Sequence, residues 1–165
     1  MTKSDGSSLS GPCVAPFVLR FTLAVVLFPH GAQKLLGWFG GYGFHGTMGY
    51  FESAMHLPAF LALAAILVEF FCPILLFFGL FTRFVAAVMG IHMLVAMLMV
   101  HVGNGFFMNW TGAQKGEGFE YHLLFIGIAL ALVISGSGCC SIDRLICKQR
   151  HKDPASGSAP APASA

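Results

Sequence analysis

Four side chains have the types and settings to do chemistry: His30, Lys34, Glu69 and His92, each inside or at the end of a strongly apolar stretch. A histidine near a carboxylate can pass a proton around neutral pH. A lysine can donate to a carbonyl or attract an anion. These four are the candidate catalytic residues. Gln33, Trp38, His101, Asn104 and Glu120 lie where the same stretches meet polar chain and are candidate binding residues. Histidines with carboxylates can also hold a metal, but the spacing matches no established ligand motif, and no metal is assigned.

Composition dictates what must position them. The 165-residue chain is 56% hydrophobic and only 10% charged, with mean hydropathy +0.77. A soluble domain carries about 25% charged residues. Helices that are apolar on every side need lipid around them. Four runs qualify or nearly do: residues 16–36, 58–80, 83–102 and 121–135. The last is short against the usual ~20 residues and must borrow from its flanks. The expected fold class is therefore all-α: an integral membrane four-helix transmembrane bundle over residues 16–146. It follows a polar N-terminal segment, 1–15, and precedes a disordered Pro/Ala/Ser-rich tail, 147–165. The first run is too long for the core of a cleavable signal, and Pro12 argues against lipoprotein cleavage before Cys13.

An even number of spans places both termini on one side. On that assumption Lys3, Arg20, Arg83, Arg144, Lys148, Arg150 and Lys152 share the side of the termini, and Lys34 and Lys115 face the other. Seven against two is a positive-inside bias, so both termini are expected in the cytoplasm. The expected setting is the bacterial cytoplasmic (inner) membrane, with several passes, and the lipid bilayer is the first partner. Nothing in the sequence suggests nucleic acid.

Depth then relates the polar residues. His30 is ten residues beyond Arg20, His92 nine beyond Arg83, and Glu69 eleven from Leu80. At about 1.5 Å per residue the two histidines sit roughly 14–15 Å deep, and Glu69 lies at about the same depth. Unpaired, each costs a few kcal/mol or more there, so one hydrogen-bonded cluster is expected. His30, Gln33, Lys34 and Gly37 form a helical stripe, as do Ala62, Ala65 and Glu69, and Glu120, Gly127 and Ala131. Pro73 frees the Glu69 carbonyl by removing an amide. The plainer readings stay open: the cluster ties helices together, Lys34 snorkels to headgroups, and Trp38 and Trp110 form an aromatic belt. Met89, Met93 and Met97 read as core packing rather than a copper path. The five cysteines form no CxxC and no disulfide framework, and are expected as reduced thiols.

The segments HGAQKLLGWFGGYG (30–43), Glu69 followed by GLFTR (79–83), HVGNGFF (101–107) and EYHLLF (120–125) together resemble the DoxX family of small four-helix membrane proteins. The resemblance spans about residues 17–145. It implies a membrane redox subunit, similar to the membrane subunit of thiosulfate:quinone oxidoreductase, and draws attention to His30, Lys34, Glu69, His101 and Glu120. Quinone would then be a substrate, with thiosulfate or another thiol or sulfur compound as donor. No haem, flavin or iron–sulfur motif is visible, so electrons would pass directly or come from a partner redox subunit. A homo-oligomer is equally compatible. Two other functions fit the same residues: a non-catalytic anchor or assembly subunit for a partner enzyme, and a small-solute or proton pathway. The glycine-rich stretch 37–46 is the expected cap of the site, which should open on the side away from the termini.

Overall fold

The computed structural model describes residues 11–152, which are helical apart from turns and loops. Six helices run in the order α1 (Gly11–Leu36), α2 (Gly43–Ser53), α3 (Ala59–Phe78), α4 (Thr82–Ala96), α5 (Glu120–Ser135) and α6 (Ile142–Lys152). Three are long and apolar enough to cross a membrane: α1, α3, and α4 with its continuation to Asn104. With 16 residues α5 rises only about 24 Å, short of the ~30 Å hydrocarbon layer. The first loop holds α2, and residues 147–152 of the expected tail are the last turns of α6. The rest of that tail and residues 1–10 lie outside the described residues.

Helix α1 packs against α3 and α5, and α4 packs against the same two, so the four close a ring. At its centre Leu23, Leu27, Leu76, Met89, Met93 and Phe125 are buried, which places Met89 and Met93 in the core as expected. Outward-facing residues such as Phe60, Phe71, Phe84, Leu124 and Ile134 are exposed. A surface of large apolar side chains is what a lipid-facing bundle presents.

Two residues clasp the end of the ring where α1 begins and α6 lies. The Arg20 guanidinium is fully buried and donates to four carbonyls, those of Leu76 and Phe77 at the C-terminus of α3 and of Cys139 and Cys140 in the α5–α6 turn. It adds a donor at the carbonyl end of α3, where it meets the negative end of the helix dipole, and ties the α5–α6 turn to it. Asp143 of α6 caps α4 from a distance, accepting from the Phe81 amide at 2.7 Å and the Thr82 amide at 2.9 Å. The turn joining α3 to α4 passes through left-handed Gly79 (φ 65°). A Cβ there would meet Ser141 and Arg20, so glycine is needed for the turn and for the approach. Arg20 is thus more than a marker of the membrane boundary: it is a structural cross-link.

Helix α3 buries Ala62, Ile66, Glu69, Pro73 and Leu76, a stripe at helical spacing. Gly31 of α1 lies directly on this stripe. A Cβ at Gly31 would overlap the Glu69 carbonyl and Phe70 Cα. The carbonyl left without its amide by Pro73 is therefore covered by a close backbone approach between α1 and α3. That contact fixes α1 against α3 one residue after His30.

Candidate functional site

Glu69 is the centre of the site. Its carboxylate is 5% exposed and is held from two sides. Lys34 of α1 donates to Oε2, and His92 Nε2 of α4 lies 2.8 Å from Oε1. Direction explains the meeting. Side chains on a helix lean toward its N-terminus. Helices α1 and α3 run in opposite directions, so Lys34 leans down toward Glu69 while Glu69 leans up toward Lys34. The Phe51 ring of α2, 5.9 Å from the ammonium, covers it from above.

A cavity of about 320 Å³ opens beside this trio. Its polar lining comes from His30, Lys34, Glu69, His101, Tyr121 and His122, with Glu117 at the loop side. Leu27, Met93, Ala96 and Met108 supply apolar walls. Volumes of about 300–1,000 Å³ with a few convergent polar groups are typical of small-molecule sites. The His101 and His122 rings lie 4.1 Å apart, centroid to centroid. His122 is buried, and its Nδ1 has no hydrogen-bond partner among the described residues. The same holds for the Tyr121 hydroxyl. Buried polar atoms are nearly always paired, so these two cavity-lining residues each carry unused hydrogen-bonding capacity.

The loop 105–119 covers the cavity. His101 Nδ1 lies 2.9 Å from the Glu117 carbonyl, and Asn104 Nδ2 donates to that carbonyl at 3.1 Å. The Asn109 amide donates to Glu117 Oε2 at 2.7 Å. Met108 and Glu117 contribute lining residues, whereas the glycine-rich stretch 37–46 contributes none. The expected cap is therefore replaced by the second loop, and the first acts only through Phe51 of α2.

Of the nine candidate residues, His30, Lys34, Glu69 and His101 line the cavity, and His92 is bonded to Glu69. His30 makes no hydrogen bond to Glu69 or His92 among the described residues, and Lys34 takes the place expected for it. Gln33 donates to the Phe39 carbonyl at 3.3 Å and steadies the turn after α1. Trp38 is 53% exposed. Asn104 acts as a latch on the loop, and Glu120 opens α5 in its first turn. None of these four lines the cavity. The α5 stripe expected at Glu120, Gly127 and Ala131 is not its buried face, which carries His122, Phe125, Ala129 and Leu132. Because α5 is apolar nearly all round, its sequence pattern does not orient it. Tyr121 and His122 were missed for that reason. Among the described residues no group of three or more His, Cys, Asp or Glu is arranged to hold a metal.

The DoxX family model matches residues 15–102, more than half of the chain, including Lys34, Glu69 and His92. The chain belongs to the DoxX family. "Putative oxidoreductase CatD" of Bacillus subtilis is 30% identical over 135 residues, 82% of this chain and 89% of that protein. "Inner membrane protein YqjF" of Escherichia coli is 35% identical over 137 residues, 82% of this chain and 95% of its own. An uncharacterized Haemophilus influenzae protein is 32% identical over 134 residues, 79% of this chain and 90% of that one. Alignments of this length cannot stop at residue 102, so the likeness to these relatives continues into α5. No solved structure matches the chain. Family and apolar helices together make it a multi-pass protein of the inner membrane.

Proposed function

We propose that the chain is a four-span redox subunit, with α5 as the short fourth span and both termini in the cytoplasm, whose cavity binds the ring of a quinone. One observation carries this reading. A buried carboxylate held between Lys34 and His92 shares a mostly apolar cavity with two lining residues, Tyr121 and His122, that each carry an unpartnered polar atom. A ring with two carbonyls needs an apolar slot, a donor for each oxygen and a titratable group to hold a proton. Tyr121 is a hydroxyl donor, Lys34 is a cation, and Glu69 and His92 are the proton-holding pair. Two thiols that couple to a disulfide release two electrons and two protons, which a quinone takes up in becoming a quinol. The same Lys34 suits an anionic sulfur donor such as thiosulfate. The name of the Bacillus subtilis relative supports oxidoreduction in general and no particular donor.

An anchor for a partner enzyme is the second reading, and a specific observation favours it. Glu69 is fully partnered within the chain by residues from α1 and α4, as a helix tie would be. Extraction of the purified protein followed by mass spectrometry of lipids and quinones separates the two. Near-stoichiometric quinone in wild type, lost in Glu69→Gln, supports the redox reading. No quinone, with a stoichiometric partner retained by wild type and Glu69→Gln alike, supports the anchor.

A further inference from the structure

At the far end of α1 from Lys34, about 31 Å along the helix, a second chemical cluster has formed. Cys13 of α1 and Cys139 of the α5–α6 turn are joined by a backbone hydrogen bond, the Cys139 amide donating to the Cys13 carbonyl at 2.9 Å. Such a bond keeps the two Cα atoms within about 6 Å, inside the range of about 4.4–6.8 Å that a disulfide spans. Burial, and then the neighbouring Cys13 thiol, push the Cys139 thiol pKa up. The turn approaches so closely because position 138 is glycine in the left-handed region (φ 68°). A Cβ there would crowd the Cys13 carbonyl and the Phe17 amide.

The two thiols differ in the way a reactive pair requires. Cys13 is partly exposed, and Arg144 Nη1 donates to its sulfur. That contact puts a cation beside the sulfur that an incoming disulfide meets first. Cys139 is 3% exposed and lies behind it. Cys13, Arg83 and Arg144 also line a cleft of about 740 Å³. Asp143 lies in the same lining, but its carboxylate is engaged by the Phe81 and Thr82 amides. The cleft therefore offers two guanidinium groups to an anion beside a poised sulfur.

We infer that Cys13 and Cys139 are a redox-active dithiol, with Cys13 the attacking and Cys139 the resolving thiol, whose substrate is an anionic low-molecular-weight disulfide. The Cys13 thiolate attacks one sulfur of that disulfide, its S–S bond breaks, and one thiolate leaves. Cys139 then attacks the Cys13 sulfur and expels the second thiolate. The protein loses two electrons as the Cys13–Cys139 bond forms, and the two departing thiols carry away the electrons and two protons. Both cysteines are free thiols in the structure, the reduced state of the pair.

The exposed thiols of Cys140 and Cys147 provide built-in references. The test uses the full-length protein in detergent, treated with oxidised glutathione, then alkylated and peptide-mapped without reductant. The expected result is a Cys13–Cys139 link in wild type and glutathione trapped on Cys13 in Cys139→Ser. In untreated protein, iodoacetamide should modify Cys13 about tenfold faster than Cys147, because only the Cys13 sulfur carries a guanidinium contact. Arg144→Gln, which keeps both thiols, should abolish that difference. Glutathione accumulating on Cys140 or Cys147 while Cys13 stays free would overturn the inference. So would equal alkylation rates for Cys13 and Cys147 in wild type, which needs no variant.

Discussion

Replacing Arg20 with methionine should destabilise the bundle far more than replacing Arg83, although a charge-bias rule treats the two arginines alike. Arg20 is completely buried and serves four carbonyls from two separate chain segments. The Leu76 carbonyl keeps a second donor in Arg20→Met, because the Gly79 amide also reaches it at 3.0 Å. The carbonyls of Phe77, Cys139 and Cys140 lose their guanidinium donor. Two of these three sites are only part-buried, so the low end of about 1–3 kcal/mol per unpaired acceptor applies, and the loss is at most about 3 kcal/mol. For a chain of this size that lowers the melting temperature by roughly 6–12 °C. Arg83 is exposed, and Arg83→Met should melt within about 2 °C of wild type. Thermal unfolding of both variants in one detergent, followed by tryptophan fluorescence, measures the difference. Equal melting temperatures would refute the clasp and return Arg20 to the role of a boundary charge.

Lys34→Met and Glu69→Gln should each lower stability, and the double variant should be less unstable than their sum by about 1–2 kcal/mol, a coupling read from a double-mutant cycle of melting curves. Additive losses would mean that the ion pair contributes nothing. Gly31→Ala should cost about 1–3 kcal/mol, because its Cβ would meet helix backbone rather than a movable side chain. A melting curve unchanged from wild type would contradict that contact. In a cysteine-free background, a cysteine at Glu52 should label from outside intact cells and one at Lys148 only after permeabilisation. The reverse pattern would invert the proposed topology.

What the sequence disclosed was set by which physical signals are strong. Lipid-facing helices need uninterrupted apolar runs, so α1, α3 and α4 were legible from composition alone. A carboxylate among apolar residues must find partners, so the link between Glu69 and His92 could be anticipated from depth. Depth along the helix axis alone favours His30 as the partner of Glu69, because it ignores side-chain direction. The lean of each side chain toward its own N-terminus brings Lys34, one turn further on, to Glu69 instead. The buried face of α5 was hidden because residues of near-equal hydrophobicity surround it, and with it Tyr121 and His122. Arg20 and Asp143 were hidden for another reason. Their partners are backbone groups distant in sequence, and nothing in residue type announces a carbonyl or an amide left open by a turn.

The central claim, that the cavity beside Glu69 receives a ring with carbonyl oxygens, is tested most directly by equilibrium dialysis. A short-chain quinone is measured against wild type, Tyr121→Phe and Lys34→Met in the same detergent. The Tyr121 hydroxyl has no partner among the described residues, so its removal should leave the melting temperature unchanged. One lost hydrogen bond to the ligand, about 1–1.4 kcal/mol, should weaken binding about five- to tenfold. Lys34→Met, which removes a charged donor, should weaken it by at least as much. Saturable binding of one quinone per chain with both losses is the predicted result; binding that is absent in wild type, or identical in all three proteins, would contradict the account.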